Sequence, residues 1–235
     1  MKMDIKNRRA GFYFLGNPPK PFVSVTQVLD IIAKPQLQYW MGREVYRALA
    51  VNPALSEKEA LAAPYASRDK AASRGSLVHS VIQAYKAGNK VLKVPEHQGY
   101  VDAFFKWAGD FKPEIIENEK TVVCKSKGYA GTLDLLANIN GKPHIIDFKT
   151  NKDGALYDEV ELQLSAYYKA LVESTNGFAK SDNGYELMAV GLSENGNYQA
   201  KTFLTDVEPF LSALSLWVWK NKELCKKMGY GGEPK

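Results

Sequence analysis

The most constraining stretch of the sequence is a pair of apolar, β-prone runs joined by Asn140-Gly141. Asn-Gly is the dipeptide that best accepts the left-handed backbone of a tight hairpin turn. The runs at 130–139 and 142–149 are therefore expected to fold back on each other as antiparallel strands. Such a turn also fixes register. Asp134 lies six residues before Asn140, and Asp147 lies six residues after Gly141. The two aspartates are thus expected directly opposite each other on one sheet face. Lys149 follows Asp147 at the strand period and shares that face, whereas Leu133, Leu135, Ile146 and Phe148 are expected to point into a core on the other.

Two like charges opposed on a sheet destabilise it unless something positive lies between them. In a dry setting one carboxylate takes up a proton. Alternatively a cation is held between them. Carboxylate oxygens are hard ligands, which suit Mg²⁺ or Mn²⁺ better than zinc. An ammonium group beside such an ion stabilises charge building on a phosphoryl group or holds an attacking water. The plainer alternative is an Asp–Lys ion pair on a solvated sheet face, because Asp-x-Lys is a common triplet.

The rest of the chain frames this hairpin. Residues 1–22 are basic, aromatic and Pro-rich, and read as an arm or short hairpin. Ser24 or Thr26 can cap a short helix that ends before Pro35, and a second helix covers about 36–50. Ser56 with Glu59 forms a capping box for a short third helix, Ser67 opens a longer one to about Lys86, and Pro95 begins another to about Phe111. Residues 114–124 are a further strand and 155–174 a helix. A strand pair at 185–193 and 197–204 surrounds Asn195-Gly196, and a capping box at Thr205 and Glu208 opens a C-terminal helix to about Lys227. This order predicts an α/β fold, a central mixed sheet flanked by helices with an N-terminal helical elaboration.

Composition narrows the class. Of 235 residues, 45% are hydrophobic and 24% charged, which suits a soluble globular chain with one substantial core. No apolar run approaches the roughly 20 residues of a membrane span. The opening charges, Lys2, Asp4 and Lys6, have no apolar stretch behind them, so no secretory signal and a cytoplasmic location are expected. Cys124 and Cys225 are read as free thiols; two cysteines cannot supply an Fe–S cluster. The net charge of +5 and pI near 8.9 permit a polyanionic partner. Basic residues gather at Lys2, Lys6, Arg8 and Arg9 and again at Lys220, Lys222, Lys226 and Lys227, although each cluster alone reads more simply as solvated surface.

With these residues in view, the chain resembles the PD-(D/E)XK nucleases, and most closely their RecB-like exonuclease branch, which includes phage exonucleases and the mitochondrial genome maintenance exonuclease. Asp134, Asp147 and Lys149 match the catalytic pattern. Arg74-Gly75-Ser76-Leu77-Val78-His79 resembles the upstream helical motif that ends in histidine. Glu119 stands where the branch places a glutamate on the strand before Gly131-Thr132-Leu133-Asp134. Gln163-Leu164-Ser165-Ala166-Tyr167 matches its Gln-x-x-x-Tyr helix. The resemblance covers about 67–175, and 22–41 resembles the lead segment of phage members. Leu133 stands where the family name has proline, a departure common in this branch.

The resemblance implies a restriction-endonuclease-like core at 67–228, preceded by an arm and helical lobe at 1–66 and followed by a flexible tail at 229–235. It implies a metal-dependent deoxyribonuclease hydrolysing phosphodiester bonds, an exonuclease acting on DNA ends or single strands in phage or bacterial recombination, repair or replication. The setting would be a bacterial or phage-infected cell, with a recombination or replication protein as partner. One or two Mg²⁺ or Mn²⁺ ions would be held by His79, Asp134, Asp147 and the Phe148 backbone carbonyl, with Glu119 as a further ligand or supporting residue. Lys149 would orient or activate water, with Gln163 and Tyr167 contacting phosphate or fixing Lys149. Gly75 and Gly131 would allow close backbone approach. Tyr39, Trp40, Arg43 and Tyr46 would stack on and steer a single strand. Each has a plainer reading: His79, Gln163, Tyr167 and the N-terminal aromatics as packing, Glu119 with Glu117 as solvent-facing charge. The rival from another class is a nuclease-fold nucleic-acid-binding module that does not cut.

Overall fold

Asn140 and Gly141 adopt φ of 52° and 78°, the left-handed pair that a two-residue hairpin requires. They join β5 (Tyr129–Ile139) to β6 (Lys142–Thr150). The turn sets the register, so that Ile139 pairs with Lys142 and, further out, Leu135 with Ile146. The computed structural model describes residues 8–88, 93–174 and 184–231, with the side chains of Arg8, residues 67–75 and His79 outside that description.

Further strands extend the sheet on both sides. β4 (Glu114–Cys124) lies antiparallel along the other edge of β5. β7 (Glu186–Leu192) runs parallel to β6, and β8 (Tyr198–Phe203) closes that side antiparallel to β7. On the same edge of β5 as β6, but at the start of β5, β1 (Arg8–Arg9), β2 (Phe12–Leu15) and β3 (Lys20–Ser24) form an antiparallel meander. β3 joins β5 in parallel through Val23↔Tyr129 and Ser24↔Ala130. The N-terminal segment, expected as an arm or hairpin, is therefore part of an eight-stranded mixed sheet. Its local pattern shows the hairpin, but the parallel pairing that docks it is long-range and leaves no local trace.

Helices cover both faces. On one face α1 (Val25–Leu29), α5 (Glu159–Ser174) and α6 (Glu208–Lys220) enclose a core that includes Val28, Leu164, Leu171, Phe210 and Trp217. On the other, α3 (Glu57–Lys86) and α4 (Gln98–Phe111) bring Val81, Ile82, Phe104 and Trp107 against Ile146 and Phe148. The result is an α/β fold in three layers. α2 (Pro35–Val51) packs on α3 and buries no residue fully. α7 (Lys222–Met228) follows α6 after a break at Asn221.

Several local expectations change. The short helix from Ser56 and the longer one from Ser67 are one 30-residue helix, α3. The Ser56–Glu59 capping box forms, and the helix continues through Pro64, whose missing N–H removes one hydrogen bond without ending it. The expected lobe boundary at 66/67 thus falls inside α3. The capping box at Thr205 and Glu208 does not form. Glu208 is the first residue of α6, with Pro209 in the first turn setting its start. Within the expected tail, Tyr230 packs edge-on against Phe12, ring centroids 5.6 Å apart, while 232–235 lie outside the described residues. Cys124 and Cys225 are both buried and free. No described helix is long and apolar enough to cross a membrane.

Candidate active site

One edge of β5 is shared by two strands that do not meet. β3 pairs with Tyr129 and Ala130, β6 pairs with residues 135–139, and residues 131–134 have no ladder partner on that edge. Each gap wall has a local cause. The chain turns from β3 into α1 at Ser24, whose hydroxyl caps the helix by accepting from the Gln27 N–H at 3.1 Å. β6 parts from β5 beyond Ile146, and the Phe148 N–H donates to Asp134 Oδ2 at 2.8 Å instead of to a strand carbonyl. Asp134 and Asp147, expected directly opposite each other, lie one step past the last ladder pair and are not paired in it.

The other edge of β5 is irregular at the same level. Asn118 pairs with Leu135 and Lys120 with Leu133, while Glu119 between them takes a left-handed backbone, φ 50°. Leu133 joins the core on the α5 side and Leu135 the core on the α3–α4 side. Leu133 was expected on the same face as Leu135, so that expectation fails. Strand alternation slips by one at Asp134 and turns its side chain into the gap.

A cavity of about 430 Å³ opens there, lined by Glu119, Asp134, Asp147, Lys149, Gln163 and Tyr167 among others. Lys149 Nζ lies 2.7 Å from Asp147 Oδ2 and donates to Gln163 Oε1 at 3.0 Å. Gln163 Nε2 donates to Asp147 Oδ1 at 2.7 Å and to the Tyr167 hydroxyl at 2.9 Å. Only this orientation of the Gln163 amide serves both neighbours, since Lys149 can only donate and an ionised Asp147 only accept. Gln163 and Tyr167 reach the gap because they sit four residues apart on one face of α5. The Tyr167 ring occupies the space above Gly131, where a Cβ would overlap it. Asp147 is sealed at 2% exposure, whereas the Lys149 side chain keeps 32%. Both line the cavity, and Lys149 is the more accessible of the two.

The electrostatics follow from this burial. Desolvation, and then the charge of Asp147, push the Asp134 carboxyl up to about 7, against the opposing pull of Lys149 and the Phe148 N–H. Burial alone would lower the pKa of the Lys149 ammonium, but Asp147 and Asp134 together outweigh it and raise the net value. Burial, followed by the two aspartates, holds the Tyr167 phenol well above its usual value, so it stays protonated.

These residues suit a hard divalent cation. Asp147 Oδ2 is fully buried and, among the described residues, is met by the Lys149 ammonium and by no further hydrogen-bond donor. Asp134 is driven toward protonation first by its burial and then by the charges of Asp147 and Glu119, which Lys149 and the Phe148 N–H only partly offset. Among the described residues no three His, Cys, Asp or Glu side chains are grouped so that they could hold a metal ion by themselves. An ion here would complete its shell with water, backbone or substrate oxygens, as Mg²⁺ commonly does.

Of the remaining expected residues, His79 lies on α3 with its side chain outside the described residues; Val78, next to it, lines the cavity. Tyr39 and Tyr46 are 74% and 72% exposed, which removes core packing as their explanation. Hydroxyls of Tyr13, Ser24, Thr26 and Thr132 also line the cavity. Tyr13 contacts Thr132 at 3.2 Å, Thr132 contacts Thr121 at 3.4 Å, and Ser24 contacts Thr26 at 3.3 Å. Thr132 lies within the Gly131–Asp134 motif, but Tyr13 is 119 residues from Thr132 and carries no local signal.

No protein-family model matches the chain, and no curated protein matches it. Among solved structures, the alkaline exonuclease of Laribacter hongkongensis is 11% identical, with 88% of this chain and 91% of that one covered and a TM-score of 0.45. A protein of Eubacterium rectale described as a candidate exonuclease is 13% identical, with 91% and 84% covered and a TM-score of 0.46. These likenesses concern the overall outline of the chain.

Proposed function

We propose that the protein is a divalent-metal-dependent deoxyribonuclease with Asp134, Asp147 and Lys149 at its centre. The observation that carries this reading is the gap in β5. Asp134 and Asp147 both line it, beside a lysine that Gln163 and Asp147 hold in place. The pattern is the one on which the resemblance to PD-(D/E)XK nucleases rests. A bound Mg²⁺ or Mn²⁺, held by Asp134 and Asp147 with the Phe148 carbonyl, His79 and Glu119 as further proposed ligands, would neutralise charge on the phosphate and make a bound water a better nucleophile.

The chain's own residues have distinct tasks. Lys149 is an ammonium whose proton its carboxylate neighbours retain, so it serves as a donor to the attacking water or to a phosphate oxygen rather than as a base. Gln163 positions it by accepting from Nζ while bridging to Asp147 and Tyr167. Asp134 fixes the parted strands through the Phe148 N–H. The hydroxyls of Tyr13, Thr26 and Thr132 offer neutral donors to sugar or phosphate oxygens. We place the activity on DNA ends or single strands, in recombination, repair or replication in a bacterial or phage-infected cell.

The test is cleavage of labelled single- and double-stranded DNA with Mg²⁺, Mn²⁺ or EDTA, by wild type and Lys149→Ala. Metal-dependent cutting that falls by about a thousandfold or more in the variant is expected. Tight DNA binding without cutting in any metal assigns the chain to a binding module instead. A circular substrate separates the modes, since a strict exonuclease leaves it intact.

A further inference from the structure

A second concavity, of about 1040 Å³, lies at the far end of β3 from the gap. Its floor includes Phe14, Met228 and Tyr230, and its rim carries Lys20, Lys125 and Lys127. The three lysines come from separate places, the start of β3 and the β4–β5 turn, and all three are exposed. None of them forms an ion pair with a carboxylate among the described residues. β3 connects the two sites, since Lys20 stands at the groove and Ser24 lines the catalytic cavity. Five strand residues span roughly 13–17 Å, which is a few nucleotides of an extended strand.

We infer that this groove binds single-stranded nucleic acid, as a subsite for the stretch of strand a few nucleotides from the gap. An apolar and aromatic floor under a lysine rim matches the two chemistries of a single strand. Bases lie on the floor, and phosphates meet the ammonium groups. A duplex presents its phosphates outward and its bases stacked, so it leaves the floor uncovered. The inference rests on the nuclease reading for its purpose, but its test does not depend on cleavage.

The probe is fluorescein-labelled dodecathymidylate, titrated in EDTA against the full chain and a Lys20→Ala/Lys125→Ala/Lys127→Ala variant, with fluorescence anisotropy as readout. The variant is expected to bind about tenfold more weakly at about 0.15 M salt, with the slope of log Kd against log salt shallower by about two. The corresponding arginine triple variant is expected to bind like wild type. Kd values of the alanine variant within about twofold of wild type, with an unchanged salt slope, overturn the inference. So does displacement of the oligonucleotide by oligoglutamate at equal or lower concentration, which assigns the groove to an acidic peptide. Lysine-dependent binding by a protein that cuts nothing keeps the groove and removes the nuclease reading, so the two failures are separable.

Discussion

Glu119 is a non-glycine residue with φ of 50° in the middle of a strand. A left-handed backbone costs an L-residue about 1–2 kcal/mol, and such strain gathers where function requires it. Glycine relieves it, and also removes a negative charge from beside Asp134. Glu119→Gly is therefore expected to raise chemical-denaturation stability by about 1 kcal/mol and to lower nuclease activity, a pairing that a purely structural Glu119 does not produce. Gln163 carries the opposite signature. Truncating it leaves Lys149 and Asp147 each short of a buried partner, so Gln163→Ala is expected to lower kcat by about tenfold to a hundredfold and destabilise the fold by about 1–3 kcal/mol. Glutamate offers Lys149 the same acceptor but gives Asp147 no donor, so Gln163→Glu should recover little; near-wild-type kcat in either variant refutes the positioning role. Asp134, Asp147, Lys149, Gln163 and Tyr167 were legible in the sequence because they fall in short motifs on two strands and a helix. Tyr13 was not, because only the fold brings it to Thr132.

At Gly131 a side chain of α5 packs directly on the β5 backbone. The Tyr167 ring fills the place of the absent side chain, so Gly131→Ala must push the ring, and with it the Gln163 hydrogen bond, away from the gap. The expected result is a loss of about 1–3 kcal/mol in stability, together with a drop in activity larger than Tyr167→Phe causes. Equal activity in Gly131→Ala and wild type, measured on the same DNA, defeats this account. At this scale the β5–β6 turn and the register of the pairs next to it were readable, because turn chemistry is local and fixes register. The end of the ladder at Leu135–Ile146 was not readable. That parting depends on Asp134 capping the Phe148 N–H and on the bend at Glu119, and neither follows from strand periodicity. The merger of two expected helices into α3 has a similar origin, since packing on α2, α4 and the sheet overrides the break that Pro64 and Ser67 suggest.

For the whole molecule, the gap links stability to pH and to divalent ions. The Asp134 carboxyl titrates from 3.8 in its ordinary state to about 7 in the fold. Between these values the folded chain keeps a proton that the unfolded chain has released. Stability of the ion-free protein is therefore expected to fall as pH rises from about 4 to about 7 and to level off above that. A divalent ion needs the carboxylate, so the gain in Tm on adding Mg²⁺ should be larger at about pH 8 than at about pH 5.5. Melts indifferent to Mg²⁺ at both pH values count against an ion site. The same gap also orders events as the chain folds. Asp134, Asp147 and Lys149 lie on a hairpin that closes through neighbours in sequence, but the facing wall arrives with Val23 pairing to Tyr129, 106 residues later in the chain. Long-range parallel pairing is slow to form. Pulse-labelling during refolding is expected to protect β5–β6 amides before those of β3, so the carboxylates are in place before the pocket that would use them exists.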